Sequence, residues 1–289
     1  MLADAFHAES YRFWRNRTAV LWSVLFVPVM AVVFGGLGAF AVKANAARLT
    51  VGTEAPPQIV AMLAGGPLDL GPTLVSAAAG LASPGLLLFV LIGAATLFAG
   101  DYRWETWRLI TPRNSRPNLL LGKLGTAAFL AVVALLVMLV AAMVENMIRA
   151  AIFERPLAFS MDAEAAGRLV LLFLLSWGRA IQFLMIGLLA ATVTRSLLAA
   201  LFIPLVVGVA QALSPQLLAA MGIMPDAWLA VLVNPGAAFE AIQTSVNPQA
   251  GSALPAGLLP KAWLSATLWT ALPLAAALAW FRRQDLSKE

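Results

Sequence analysis

Long uncharged runs dominate the pattern of hydrophobic and polar positions along this chain. Because a helix needs about 20 predominantly apolar residues to span a bilayer, such runs between charged residues predict membrane-spanning helices. Six candidate runs occur, and only Arg179 interrupts the fourth. The pattern therefore predicts an all-α membrane protein, a single domain over residues 1–289 with six transmembrane helices. These spans are residues 18–42, 71–100, 124–144, 169–194, 196–213 and 262–281.

Composition supports this fold class. Of the 289 residues, 61% are hydrophobic and 11% are charged, against about 45–50% apolar and 25% charged residues in soluble domains. This excludes a soluble globular domain, a disordered chain and a nucleic-acid-binding domain. The chain has no cysteine, which excludes disulfides and metal sites built on thiolates.

The distribution of basic residues predicts the orientation. Positive charge concentrates in cytoplasmic loops. With both termini cytoplasmic, twelve of the 19 Lys and Arg residues lie inside and six lie outside, with Arg179 within a span. We therefore expect cytoplasmic termini. The run 18–42 exceeds the apolar core of a signal peptide, about 7–15 residues, and is expected to be a retained helix.

Two segments outside the spans are also apolar. Residues 214–261 form the outer loop between spans five and six, which is interrupted by prolines. This pattern predicts short interfacial or re-entrant helices. Residues 1–17 are predicted to form a cytoplasmic interfacial arm, in which Glu9 falls on the apolar side; a frayed terminus is the alternative. The arm residues are Phe6, Phe13 and Trp14.

Residues that enzymes use are scarce. The only histidine is His7, no phosphate-binding loop occurs, and no Asp or Glu lies inside a predicted span. These absences argue against metal, nucleophilic and intramembrane aspartyl catalysis. We expect no enzymatic activity, cofactor site or metal site in this chain.

Charged and Trp residues are concentrated in the predicted cytoplasmic loop 101–123. Its first part can form a short helix that places Asp101 and Glu105 on one face, and Pro112 ends it. Trp and Arg are typical of interface hot spots, so this helix is a candidate docking site for a soluble partner. The alternative is a helix that only anchors the loop at the membrane through its Trp side chains.

A motif in this loop resembles the signature of type-2 ABC exporter permeases. The matching positions are an acidic residue, a Thr, a Pro, a Ser-Arg pair and a Gly-Lys pair. Asp101 stands where Glu is usual, and Glu105 stands where Gly is usual. The matching residues are Asp101, Thr106, Pro112, Ser115, Arg116, Gly122 and Lys123.

The resemblance implies a permease that works as a homodimer with two separate ATPase subunits, which bind ATP and Mg²⁺. It further implies a multi-pass protein of the bacterial inner membrane, surrounded by lipid and without a nucleic-acid partner. An ATPase-independent channel or secondary carrier and a non-transporting scaffold subunit are alternatives. The ATPase-coupling residues would be Asp101, Tyr102, Arg103, Trp104, Glu105, Thr106, Trp107, Arg108 and Arg116.

Arg179 is the ionisable residue furthest inside a predicted span. It lies ten residues from Leu169, about 15 Å along a helix. A charge at this depth is expected to face protein or water. Ser176 and Gln182 share its helix face, and the three residues predict either a translocation pathway for an anionic or amphiphilic substrate or a structural contact between helices.

Overall fold

The computed structural model describes residues 1–46, 63, 66–103, 107, 111, 114–248 and 253–284. Within these residues the chain forms ten helices and one pair of two-residue strands. The helices are α1 Leu2–Arg15, α2 Arg17–Ala44, α3 Leu70–Ala79, α4 Pro84–Arg103, α5 Arg116–Ile152, α6 Ala163–Thr194, α7 Leu197–Ala220, α8 Trp228–Val233, α9 Pro235–Val246 and α10 Leu258–Arg283.

Six of these helices, α2, α4, α5, α6, α7 and α10, are long and apolar enough to cross a membrane. This confirms the prediction of an all-α protein with six candidate spans. Several helices extend past the uncharged runs, and α5 reaches 37 residues. A charged residue therefore did not mark the end of each helix.

The second predicted span, residues 71–100, is instead two helices. Helix α3 ends at Ala79, and α4 begins at Pro84. Proline lacks a backbone N–H and fits the first turn of a helix, so it starts α4 at this position. Hydropathy did not reveal this break because the residues between the two helices are also uncharged.

The long segment between α7 and α10 contains two short helices, α8 and α9. Asn234 separates them, and its side-chain oxygen accepts a hydrogen bond from the backbone N–H of Ala237 at 3.1 Å, which caps α9. Short helices were predicted in this segment. Helix α7, which corresponds to the fifth predicted span, ends at Ala220, seven residues later than predicted.

Helix α4 is the most buried of the six long helices. It packs against α5, α6 and α7, whereas few residues of α2, α7 and α10 are buried. Strands β1 (Leu68–Asp69) and β2 (Leu157–Ala158) pair in parallel at one end of the bundle. Helix α1 packs along α5 at the other end, which we call the α1 end.

Close packing of α1 on α5 depends on Gly122. A Cβ atom at this position would lie 2.8 Å from Cβ of Ala5 and 3.2 Å from the backbone nitrogen of Phe6. Such distances are shorter than van der Waals contact, and backbone atoms of α1 cannot rotate away. A larger side chain at this position must therefore displace α1.

We predict that Gly122→Val separates α1 from α5. Oγ of Ser10 lies 3.1 Å from Oγ1 of Thr126, so a Ser10→Cys/Thr126→Cys pair in this cysteine-free chain is expected to form a disulfide. Its yield is expected to fall at least fivefold in Gly122→Val. Gly100→Val, at a position with open space around it, is the matched control; equal yields in both variants would contradict the prediction.

Candidate functional site

Four charged side chains meet at the α1 end, where α1 packs against α5 beside the end of α4. Arg12 donates to Oδ1 of Asp101 at 2.7 Å and to Oε2 of Glu9 at 2.7 Å. Nζ of Lys123 lies 2.9 Å from Oε1 of Glu9 and also pairs with Asp101. The side chains of Asp101 and Lys123 are 1% and 0% exposed. Two acids and two bases balance, and we call this group the charge cluster.

The buried Lys123 has further partners outside the charge cluster. Lys123 also donates to the carbonyl oxygen of Leu97 at 2.9 Å and lies 5.2 Å from the ring centre of Trp107. Burial by itself would lower the pKa of Arg12, but the hydrogen bond from Arg12 to Asp101 and the charges of Glu9 and Asp101 outweigh it and raise this pKa. Each charge of the cluster therefore lies beside an opposite one.

A second group of contacts fixes Trp107 at the same end of the bundle. Its side chain is fully buried, with its ring centre 5.5 Å from that of Tyr102 and 4.7 Å from that of Phe281. The Tyr102 hydroxyl donates to Oε1 of Gln284 at 3.0 Å, and Nε2 of Gln284 donates to the Thr192 carbonyl at 3.2 Å. These contacts join the loop after α4 to the ends of α6 and α10.

Arg116 joins the start of α5 to the end of α10. Its NH1 atom donates to the carbonyl oxygens of Phe281, Arg282 and Gln284, at 3.2, 3.1 and 2.6 Å. The last carbonyls of a helix lack partners within the helix and carry partial negative charge. Arg116 therefore caps α10 with a cation.

The predicted coupling residues divide into two groups. Asp101, Tyr102 and Trp107 are buried, and Arg116 binds α10, so these four side chains contact the bundle in this structure. Arg103 is the last residue of α4. The remaining predicted residues lie outside the described ranges; they are Trp104, Glu105, Thr106 and Arg108.

The predicted arm is helix α1, and its apolar face packs against α5. Phe13 is buried, Trp14 packs edge-on against Phe129 with ring centres 6.2 Å apart, and Phe6 lies beside Gly125. The arm was predicted to be interfacial. In the structure, much of the face expected to contact the membrane surface instead contacts protein.

Arg179 lies within α6 and contacts two glutamines. NH1 donates to Oε1 of Gln182, and NH2 donates to Oε1 of Gln211 on α7. The guanidinium carbon lies 4.7 Å from the ring centre of Phe183 and 5.8 Å from that of Phe239. Both rings are within cation–π distance.

The predicted polar stripe is only partly assembled. Gln182 binds Arg179 as its position on the helix indicated, but Ser176 donates instead to the Ala78 carbonyl of α3 at 3.3 Å. Ser176 is fully buried and ties α6 to α3. The polar group around Arg179 is completed from α7 and from the α8–α9 connection, where Asn234 donates to the Gln211 carbonyl at 3.2 Å.

Arg179 lines two cavities. The first, which we call the apolar cleft, has a volume of 690 Å³ and lies between α6, α9 and α10. The second has a volume of 560 Å³ and is bounded by α4, α6, α7 and α9. Gln211, Glu240 and Gln243 contribute polar groups to the second cavity. The cation therefore sits where an apolar space meets a more polar one.

Several residues of these sites were not among the predicted site residues. Glu9 and Lys123 complete the charge cluster, and Gln211 completes the group around Arg179. The position of Glu9 on the apolar face of α1, three residues before Arg12, was the available signal of a buried ion pair. The available signal for Gln211 was its position as a polar residue within a long apolar helix.

No protein-family model and no curated protein sequence matches this chain. Within the described ranges, no three His, Asp or Glu side chains are grouped as metal ligands. The function is therefore inferred from the geometry of the α1 end and of the Arg179 site.

Proposed function

We propose that the chain is the membrane-spanning subunit of an ATP-driven ABC exporter and that a separate ATPase subunit supplies the energy. The observation that supports this most is the construction of the α1 end. Residues of the motif that resembles type-2 exporter permeases, among them Asp101, Arg116 and Lys123, join α1, α4, α5 and α10 there.

This construction suits the transmission of a push from a soluble partner. The segment 104–113 connects α4 to α5, so force on it reaches both helices directly. Separating Asp101 from Lys123 would break a buried ion pair in a medium of low dielectric constant, which costs free energy. The helix ends at the charge cluster are therefore expected to move together, and Arg116 carries the movement to α10.

In this proposal the α1 end faces the cytoplasm of a bacterial inner membrane. The basic residues that flank this end agree with that orientation. Two copies of the chain pair with two ATPase subunits, which bind ATP and Mg²⁺. The bound ATPase rests on the segment 104–113, while buried residues such as Trp107 position that segment and do not contact the ATPase themselves.

The test is purification of the full chain from its native membrane under gentle conditions, followed by identification of co-purifying proteins. We predict recovery of one ATPase with Walker motifs, whose activity the chain stimulates. Thr106→Pro is expected to reduce this stimulation at least tenfold without preventing membrane insertion. The control is Ala253→Pro, in an exposed connection at the opposite end of the bundle.

A second candidate function is an ATPase-independent channel or secondary carrier. The cation between two cavities favours it, because carriers bind substrate at polar sites within the membrane. A stable oligomer of this chain alone, with no nucleotide-binding protein recovered, would contradict the exporter proposal and favour the channel or carrier.

A further inference from the structure

We propose that the apolar cleft binds the tail of a long-chain carboxylate, a single-chain amphiphile whose head group pairs with Arg179. This inference names a substrate class for the proposed transporter. That the ligand is transported rests on the proposed function, whereas the binding of the ligand to the cleft does not.

The shape of the apolar cleft suits a hydrocarbon tail. Its volume of 690 Å³ is within the range of small-molecule sites, about 300–1,000 Å³. Side chains such as Leu174, Ile242 and Leu274 line it. Gly178, the residue before Arg179, also lines the cleft, and a Cβ atom there would meet no atom of the described residues within 4 Å. The space therefore continues up to the cation.

The head-group end of the site has more hydrogen-bond donors than acceptors. Arg179 can only donate, so Oε1 of Gln182 and of Gln211 must face it, and the amide nitrogens of both glutamines point elsewhere. Gln211 is 7% exposed, and its Nε2 atom has no hydrogen-bond partner within the described residues. Within the described residues Arg179 donates only to these two glutamine oxygens, so its remaining N–H groups can bind an oxygen-rich ligand in the apolar cleft.

The charge of the site indicates one negative charge on the ligand. Among the described residues no carboxylate lies within salt-bridge distance of Arg179; Glu240, exposed at the second cavity, interacts with it only at longer range. One guanidinium in an apolar setting is neutralised by one carboxylate, in a planar geometry that suits two parallel hydrogen bonds. A doubly charged phosphate would leave an excess negative charge in the membrane interior.

The experiment uses the full chain in lipid nanodiscs, without nucleotide or partner, and palmitate that carries a diazirine on its tail. After irradiation, mass spectrometry locates the labelled peptides. We expect labelling on the cleft-lining parts of α6, α9 and α10, at least tenfold above that by the methyl ester of the same probe. Arg179→Gln is expected to weaken labelling at least tenfold, while Arg168→Gln, which removes a charge paired with Glu164 elsewhere on α6, leaves it unchanged.

A second pair of variants tests the tail without touching the cation. Gly178→Leu fills the cleft and is expected to abolish specific labelling. Gly167→Leu, also on α6 and also with open space around its Cβ position, is expected to leave labelling unchanged. Both changes favour a helix, so loss of folding does not account for a difference between them.

Equal labelling by acid and ester, or parental labelling of Arg179→Gln and Gly178→Leu, would overturn the proposal and indicate a cleft filled by bulk lipid. Stronger labelling by a lysophosphatidate with the same tail would overturn the assignment of a carboxylate. Because no ATPase is present, specific labelling supports the binding site even where the co-purification experiment fails, and the two proposals are tested separately.

Discussion

Lys123→Met is expected to lower the free energy of unfolding by about 3–5 kcal/mol, the range observed when one partner of a buried ion pair is removed. The variant leaves Glu9 and Asp101 with Arg12 as the remaining cation of the charge cluster, and the side chain of Asp101 is 1% exposed. Reversible unfolding by SDS in mixed micelles, followed by circular dichroism, measures the change.

Two controls separate the effect of burial from that of charge alone. Glu154→Gln breaks the exposed Lys43–Glu154 pair, whose atoms are 2.8 Å apart, and is expected to leave stability unchanged, because exposed pairs contribute little. The double variant Asp101→Asn/Lys123→Met is expected to recover part of the loss, since it removes opposite charges together. A loss in Lys123→Met no larger than in Glu154→Gln would contradict the assignment of a tightly buried cluster.

Trp107→Ala is expected to lower the free energy of unfolding by a similar amount, about 3–5 kcal/mol, through the cavity that it leaves. The ring is fully buried between Tyr102 and Phe281 and faces the ammonium group of Lys123. SDS unfolding of the purified chain measures the loss, and protease sensitivity of the segment 104–113 is expected to rise with it.

Trp107→Phe and Trp280→Ala are the controls for this prediction. Nε1 of Trp107 has no hydrogen-bond partner within the described residues. Trp107→Phe therefore removes no hydrogen bond to these residues and is expected to retain most of the stability. Trp280 is 52% exposed on α10, and its removal is expected to have little effect. Equal losses in Trp107→Ala and Trp280→Ala would show that the loop is not held by its buried ring.

Hydropathy predicted the six long helices because each contains a long apolar run. It did not predict the interruption between α3 and α4, because an average of hydropathy over apolar residues does not include the backbone preferences of Gly80 and Pro84. Orientation, partners and the identity of the transported substrate depend on groups outside this chain and stay predictions.

The sites were harder to predict because their contacts join distant parts of the sequence. Asp101 was expected to face a soluble partner, since a local pattern of acid, base and Trp residues is typical of exposed interface helices. Its main partners are Arg12, 89 positions away, and Lys123. For Arg179, the neighbour on the same helix was predicted correctly, but Gln211, 32 positions away, was not. Helical spacing describes one face of one helix, and packing between helices supplies the rest.

The packing of α1 on α5 imposes an order on the assembly of the helices. Ser10 and Thr126, which meet in the folded chain, are separated by 116 positions, so α1 leaves the ribosome long before its binding surface exists. Until then Glu9, Arg12 and Asp101 lack Lys123, the fourth member of the charge cluster. Synthesis of α5 is thus the step that allows α1 and α2 to pack as they do in the folded chain.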